Sequence, residues 1–351
     1  MRIATTSAKR ASWSNEATDP GASRMMLALK VDVDTFLGTL VGVPRLVEAL
    51  RRHQAGATFL FSLGPDHTGR AIRRAFRPGF AKKVSRTSVL EHYGLLTLLY
   101  GTLLPGPDIG RRCAEILRGV RDAGFETGVH AWDHVRWQDG VTHADASWTE
   151  GEMRGACKRY AEIFGAAPRT HGAAGWQMNA HALRLTQRLG FDYASDCRGS
   201  HPFMPVRNGE IVACPQLPTT LPTLDELIGR DGLTADNVAD RLLRLTTESP
   251  GRNHVYTLHA ELEGRKLMPV LDRLLEGWKA QGFALVALRD LASGLDLARL
   301  PRHEVVDGEV PGRSGLLMLQ GGGFPGGTPA LARIDDFNNN ASRNDCRPDR
   351  T

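Results

Sequence analysis

The sequence predicts an α/β protein built as a (β/α) barrel, and three observations carry that prediction. Short β-branched and aliphatic runs alternate with helical periodicities over residues 26–286, which makes six or seven strand–helix repeats. A strand, a helix and a second strand in close succession imply parallel strands joined by a right-handed crossover. The chain has 351 residues, 41% of them hydrophobic, and 38 glycines. That is enough for one barrel with insertions and tails, and the glycines suit many tight turns between strand and helix.

The first strand carries Leu27, Leu29, Val31 and Val33 and stops on Asp32 and Asp34, which lie on one side of it. Pro44 suits the first turn of a helix that continues through Leu46, Val47 and Leu50. A buried strand follows at 58–62. Helical spacing resumes over 109–120, then comes a strand at 125–130 and a helix over 149–164 with Thr149 as its cap. After a glycine-rich segment, His171-Gly172-Ala173-Ala174-Gly175-Trp176, come a helix over 179–189, a strand at 191–195 and a short strand at 211–213. The pattern closes with a helix over 238–246, a strand at 254–259, a helix over 266–280 and a last strand at 284–286. Residues 25–300 thus form the barrel. Residues 1–24 read as a disordered extension with no secretory h-region, and Met25 or Met26 is an alternative start. Residues 301–351, with Gly321-Gly322-Gly323 and Asn338-Asn339-Asn340, read as a flexible tail.

The net charge of +5 is modest, and its distribution is more telling than its size. Between residues 64 and 108 the repeat is interrupted by a basic run, Arg70, Arg73, Arg74, Arg77, Lys82, Lys83 and Arg86, with an apolar stretch over 95–104. The stretch falls short of the roughly 20 residues of a spanning helix. Basic residues beside an apolar, aromatic-containing patch suit an interfacial anchor on an anionic leaflet, so 70–104 reads as a membrane-surface insertion. The competing reading is a helical pair packed on the barrel with a solvated basic face. Nucleic acid is a poorer partner, because the run carries no recognition motif. Five cysteines without a C-x-x-C pair indicate reduced thiols and a cytosolic setting.

Three strings carry the chemistry. Asp32 and Asp34 at a strand exit repel unless a cation or hydrogen bonds relieve them. His130-Ala131-Trp132-Asp133-His134 places two imidazoles four residues apart, which meet on one face if the segment turns helically. Together with an aspartate of the first strand they make the two-His-one-carboxylate set of metal hydrolases. Tyr256-Thr257-Leu258-His259-Ala260-Glu261 brings His259 to the carboxyl end of a late strand, facing the same barrel mouth.

In this order the strings resemble the polysaccharide deacetylase (NodB homology) family, metal-dependent amide hydrolases on a distorted (β/α) barrel. The finer strings, among them Gly64-Pro65-Asp66, Ala173-Ala174-Gly175-Trp176 and Ser195-Asp196-Cys197-Arg198-Gly199, resemble one branch, the 4-deoxy-4-formamido-L-arabinose-phosphoundecaprenol deformylases. The resemblance spans residues 26–300. It implies a divalent metal ion (zinc, manganese, cobalt or iron) on Asp34, His130 and His134, with Asp32 as general base and His259 as general acid. Asp196 takes the place of the acid that orients the catalytic histidine. The arginine that holds the base in the wider family is missing before Ala173, leaving Arg198 or His171 to supply its charge. Trp176 either walls the sugar pocket or packs as a core aromatic, and Arg70, Arg73 and Arg74 meet the phosphate of an undecaprenyl-phosphate-linked formamido sugar. The resemblance further implies a peripheral protein of the cytoplasmic face of the bacterial inner membrane, acting in lipid A modification and polymyxin resistance. An N-deacetylase of peptidoglycan or another amino-sugar glycan, and an inactive membrane-surface binding protein, are the alternatives.

Overall fold

The computed structural model describes residues 25–71 and 95–324. Among them the strands, in chain order, are β1 Met26–Val33, β2 Thr58–Ser62, β3 Glu126–Ala131, β4 Thr170–His171, β5 Tyr193–Ala194, β6 Met204–Arg207, β7 Glu210–Ile211, β8 His254–His259, β9 Ala284–Val286, β10 Arg302–Gly308 and β11 Leu317–Gly323. Seven of these form one curled, parallel sheet in the order β5-β4-β3-β2-β1-β8, with β9 on β1. Since β8 runs beside β1 from Leu27 to Asp32, β2 and β9 share its other edge. The two outer strands, β5 and β8, are bridged without a regular strand. Leu217 N donates to Ala194 O and Thr220 N to Val255 O, so the segment between them closes the barrel irregularly.

The outer face of β1 follows from its two-residue period. Leu27, Leu29, Val31 and Val33 pack into the main core with helix residues such as Leu46 and Leu271, which leaves Lys30 and Asp32 on the opposite face, toward the barrel interior. The helices expected between strands are present, including Val43–Arg52 with proline in its first turn and Met268–Ala280. Two differ in detail. The segment 109–120 is split at Cys113 into Ile109–Arg112 and Ala114–Asp122. The helix expected to start at Thr149 is Ala146–Phe164, capped by Asp145, whose Oδ1 accepts from Trp148 N at 2.8 Å; a carboxylate is the stronger acceptor for free N–H groups.

The expected flexible tail is corrected for residues 302–323. β10 pairs in parallel with β6 and antiparallel with β11, making a second, four-stranded sheet of order β11-β10-β6-β7. The short strand expected at 211–213 belongs to this sheet as β7 and not to the barrel. Arg313, in the turn between β10 and β11, ties the second sheet down through Glu226 Oε1 at 2.7 Å and Asp225 Oδ1 at 3.0 Å. Residues 1–24, 72–94 and 325–351 lie outside the described residues, and with them most of the expected insertion. At its described end the helix Leu95–Leu99 leads to a turn on which Leu103 is 81% exposed. No helix among the described residues is long and apolar enough to cross a membrane.

Candidate active site

The turn after β1 is pinned by two carboxylates from elsewhere in the chain. Glu261 Oε1 accepts from Asp34 N at 3.0 Å and Thr35 N at 2.8 Å, and Asp66 Oδ2 accepts from Phe36 N at 2.8 Å. Burial pushes Glu261 well above the usual carboxylate range, and the charge of Asp34 adds to the effect. Gly38 is required beside it, because a Cβ there would stand 2.0 Å from Glu261 Oε1.

Asp34 is thereby held among imidazoles. Its Oδ1 lies 3.1 Å from His130 Nε2 and its Oδ2 3.4 Å from His134 Nε2, and a donor atom from each of the three residues falls within 4.8 Å of the others. His130 is the penultimate residue of β3, while His134 opens the helix His134–Gly140, whose N-cap is Asp133. The helical turn brings the two rings together, with centroids 5.4 Å apart. His130 Nδ1 donates to Gly172 O at 2.6 Å, so its Nε2 carries a lone pair in the neutral ring. That lone pair faces a buried carboxylate oxygen, and among the described residues Asp32 Oδ1 beside it accepts no hydrogen bond. A divalent cation fits this donor set, since it would lie between lone pairs that otherwise face each other. Burial pushes Asp34 up, but His134, His130 and His259 outweigh it and hold its carboxyl well below the usual range. For His130 burial works downward, and Asp32 and Asp34 more than reverse it, so its proton is held more tightly than in a free imidazole.

Asp32 and His259 are register partners on neighbouring strands, β1 and β8, which sets the two expected acid–base residues side by side next to the cluster. His259 is buried, and among the described residues its Nδ1 has no hydrogen-bond partner. Asp196 is not joined to it. Its Oδ1 accepts from His171 Nδ1 at 2.6 Å and Ala173 N at 2.9 Å, and its Oδ2 from Gln216 Nε2 at 3.1 Å. The acid beside His259 is Glu263, whose Oε2 accepts from His259 N at 2.9 Å.

The cation on Asp32 is neither Arg198 nor His171. Lys30 Nζ stands 3.2 Å from Asp32 Oδ2 and donates to Ser195 O at 3.1 Å, entirely buried. Gly172 makes room for it: a Cβ at that position would lie 3.0 Å from Lys30 Cε. Arg198 is committed instead to Glu226 Oε1, at 2.5 Å, and to Leu221 O. Trp176 is only 1% exposed, enclosed by Lys30, Arg198 and Arg313 over its ring and bonded through Nε1 to Thr219 Oγ1 at 3.1 Å. It therefore organises buried cations and does not stand as a pocket wall. Of the expected phosphate-binding arginines, Arg70 donates from Nε to Gly101 O at 2.9 Å, and Arg73 and Arg74 lie outside the described residues.

Lys30, Glu261 and Glu263 are the site residues that motif reading passed over. Lys30 was within reach, since its position two residues before Asp32 puts it on the same strand face. The glutamates carry no such local signal.

Comparison with known proteins bears on the same residues. No family model matches the chain. It is 37% identical over 294 residues to a probable 4-deoxy-4-formamido-L-arabinose-phosphoundecaprenol deformylase ArnD of Shewanella sediminis (strain HAW-EB3), covering 84% of this chain and 94% of that one. A second protein of the same description, from Wigglesworthia glossinidia brevipalpis, is 32% identical over 286 residues, covering 81% and 98%. Among solved structures, a protein assigned as a polysaccharide deacetylase from Mycobacterium smegmatis superposes with a TM-score of 0.56 at 18% identity, over 84% of this chain and 98% of that one, and so shares the fold. With the barrel, the Asp-His-His cluster and this degree of identity together, the chain belongs to the ArnD-type deformylase family, hydrolases of amide bonds on the polysaccharide deacetylase fold.

Proposed function

We propose that the protein deformylates 4-deoxy-4-formamido-L-arabinose-phosphoundecaprenol, releasing formate and the 4-amino sugar lipid, as a step of lipid A modification. The observation that carries this reading is the pairing of Asp32 with His259, in register on adjacent strands beside Asp34, His130 and His134. Asp34, His130 and His134 would hold a divalent ion, which when bound supplies Lewis-acid polarisation of the formyl oxygen and of water. Asp32 then takes the proton from the water that attacks the formyl carbon, and Lys30, 3.2 Å from it, holds its carboxylate in place. His259 donates a proton to the sugar nitrogen as the C–N bond breaks. Water's O–H and the amide's C–N bond are exchanged for formate and a free amine.

The lipid-linked headgroup would be met at a membrane surface. Supporting this are Arg70 at the root of the basic segment and the exposed Leu103 and Leu104 at its other end. The test is mass-spectrometric turnover of the formamido lipid in detergent by the metal-loaded protein, alongside Asp32→Asn and His259→Ala. Release of formate by the wild type, with both variants slowed roughly 10²- to 10⁴-fold, is expected. Hydrolysis of an N-acetylated glycan in place of the formamido lipid would replace the substrate while keeping the chemistry. Membrane binding with no hydrolysis under any metal would remove the enzymatic reading.

A further inference from the structure

His67 sits where the chain leaves the barrel mouth, and the chemistry above gives it no task. Beyond β2 the exit is bound to the end of β3, with Leu63 N donating to Ala131 O and Gly64 N to Trp132 O. His67 Nδ1 then lies 2.5 Å from Asp133 Oδ2. Asp133 immediately precedes His134, and its other oxygen accepts from Arg136 N at 3.0 Å. One carboxylate thus holds both the helix that presents His134 and the ring of His67. On the other side Asp66, next to His67, is bonded to Phe36 N, two residues beyond Asp34. His67 is therefore bracketed by both segments that carry the candidate metal ligands.

Its ring is oriented and not merely nearby. A carboxylate only accepts, so Nδ1 carries the proton and Nε2 keeps its lone pair in the neutral ring. Gly101 and Gly106 grip the ring: a Cβ on either would come within 2.7 Å and 3.0 Å of its Cδ2. The His67 side chain is 17% exposed while that of Asp133 is 2% exposed. Among the described residues Nε2 has no hydrogen-bond partner. A lone-pair nitrogen held this firmly at a mouth takes a donor. Formate and phosphodiester oxygens offer only acceptors, whereas ring hydroxyls of a sugar donate.

We infer that His67 is a specificity-determining residue, whose Nε2 accepts a hydrogen bond from a ring hydroxyl of the formamido sugar while Asp133 fixes the direction of the imidazole. The inference rests on the proposed function, since it places such a sugar in the mouth. It gives the site a means of selecting a hydroxylated ring that the acid–base residues alone do not supply.

The test uses the full-length, metal-loaded protein and a soluble phosphodiester of the N-formyl amino pentose, with monodeoxy analogues that each lack one ring hydroxyl. His67→Asn places an amide N–H where Nδ1 was and keeps the bond to Asp133, but has nothing at Nε2. His67→Gln reaches the Nε2 position with its amide oxygen and gives up the Asp133 bond. The expected result is a roughly ten-fold loss of kcat/KM in His67→Asn, mostly in KM, with the Gln variant retaining more. One deoxy analogue should slow the wild type to the level of His67→Asn and leave that variant no slower. Wild-type activity in the Asn variant with loss in the Gln variant would show that His67 only ties the exit segment to the barrel. Strictly additive losses for every analogue would also overturn the inference. If the wild type hydrolyses no formamido sugar at all, the proposed function falls and takes this inference with it.

Discussion

Removing the ammonium beside Asp32 tests how the candidate base is held. In Lys30→Met the stem volume stays and only the charge goes. At 3.2 Å the Coulomb attraction of the pair is roughly 5 kcal/mol with an effective dielectric of about 20. Both side chains are buried, at 0% and 2% exposure, so solvent screens little of it. Desolvation offsets part of that attraction, yet breaking a buried pair from one side costs about 3–5 kcal/mol because the other charge is stranded. The ammonium also leaves Ser195 O without its donor. We expect Lys30→Met to lose about 3–5 kcal/mol of stability in denaturant melts, and roughly 10²- to 10⁴-fold in kcat with KM and bound metal little changed. The double variant Lys30→Met/Asp32→Asn removes both charges and should recover part of the stability while staying inactive, which isolates the coupling. A Lys30→Met protein with wild-type stability and kcat within about three-fold, a change of less than 1 kcal/mol, would refute the claim that Lys30 holds the base.

Three further outcomes follow from other parts of the molecule. His134→Ala should lose both bound metal, measured by elemental analysis after dialysis, and more than about 10⁴-fold in activity, since water activation and oxyanion stabilisation fail together; full metal retention would contradict the three-residue site. His254 is buried, and burial together with Arg252 lowers its pKa from 6.5 to about 4. Because the unfolded chain takes the proton first, stability should fall as pH drops from about 6.5 to about 4, by up to roughly 3 kcal/mol from this group, and then level off. His254→Leu should flatten that part of the profile in pH-dependent melts, and an unchanged slope would remove His254 as its source. Arg313→Ala leaves the buried carboxylate of Glu226 with one cation fewer and frees the turn of the second sheet. It should cost about 2–3 kcal/mol, and a loss under about 0.5 kcal/mol would show the tie to be passive.

Several elements were legible because their signals are local. Leu27, Leu29, Val31 and Val33 declare a buried strand by type and period, and the bend from His130 to His134 follows from a strand end running into a capped turn. The second sheet was not legible. Val305 and His303 alternate with exposed residues along β10, but the glycines of β11 read as a loose tail, and the parallel partner of β10 lies about a hundred residues earlier in β6. A strand whose hairpin partner is glycine-rich and whose other partner is distant has no short-range signature beyond its own weak alternation.

What the sequence by itself determined is the chemical inventory and its placement at strand ends: two acids at the end of β1, two histidines at and just past the end of β3 and one at the end of β8. Only the tertiary structure decided which charge answers which. Asp196 pairs with His171, Arg198 with Glu226, and Lys30 with Asp32, while Glu261 reaches across from the turn after β8 to pin the turn at Asp34. The reason is physical. Side-chain type and two-residue or helical period are properties of a few neighbouring residues, whereas an ion pair in a buried interior depends on distances of a few ångströms set by strand order and register, where a space as small as that left by Gly172 selects the partner.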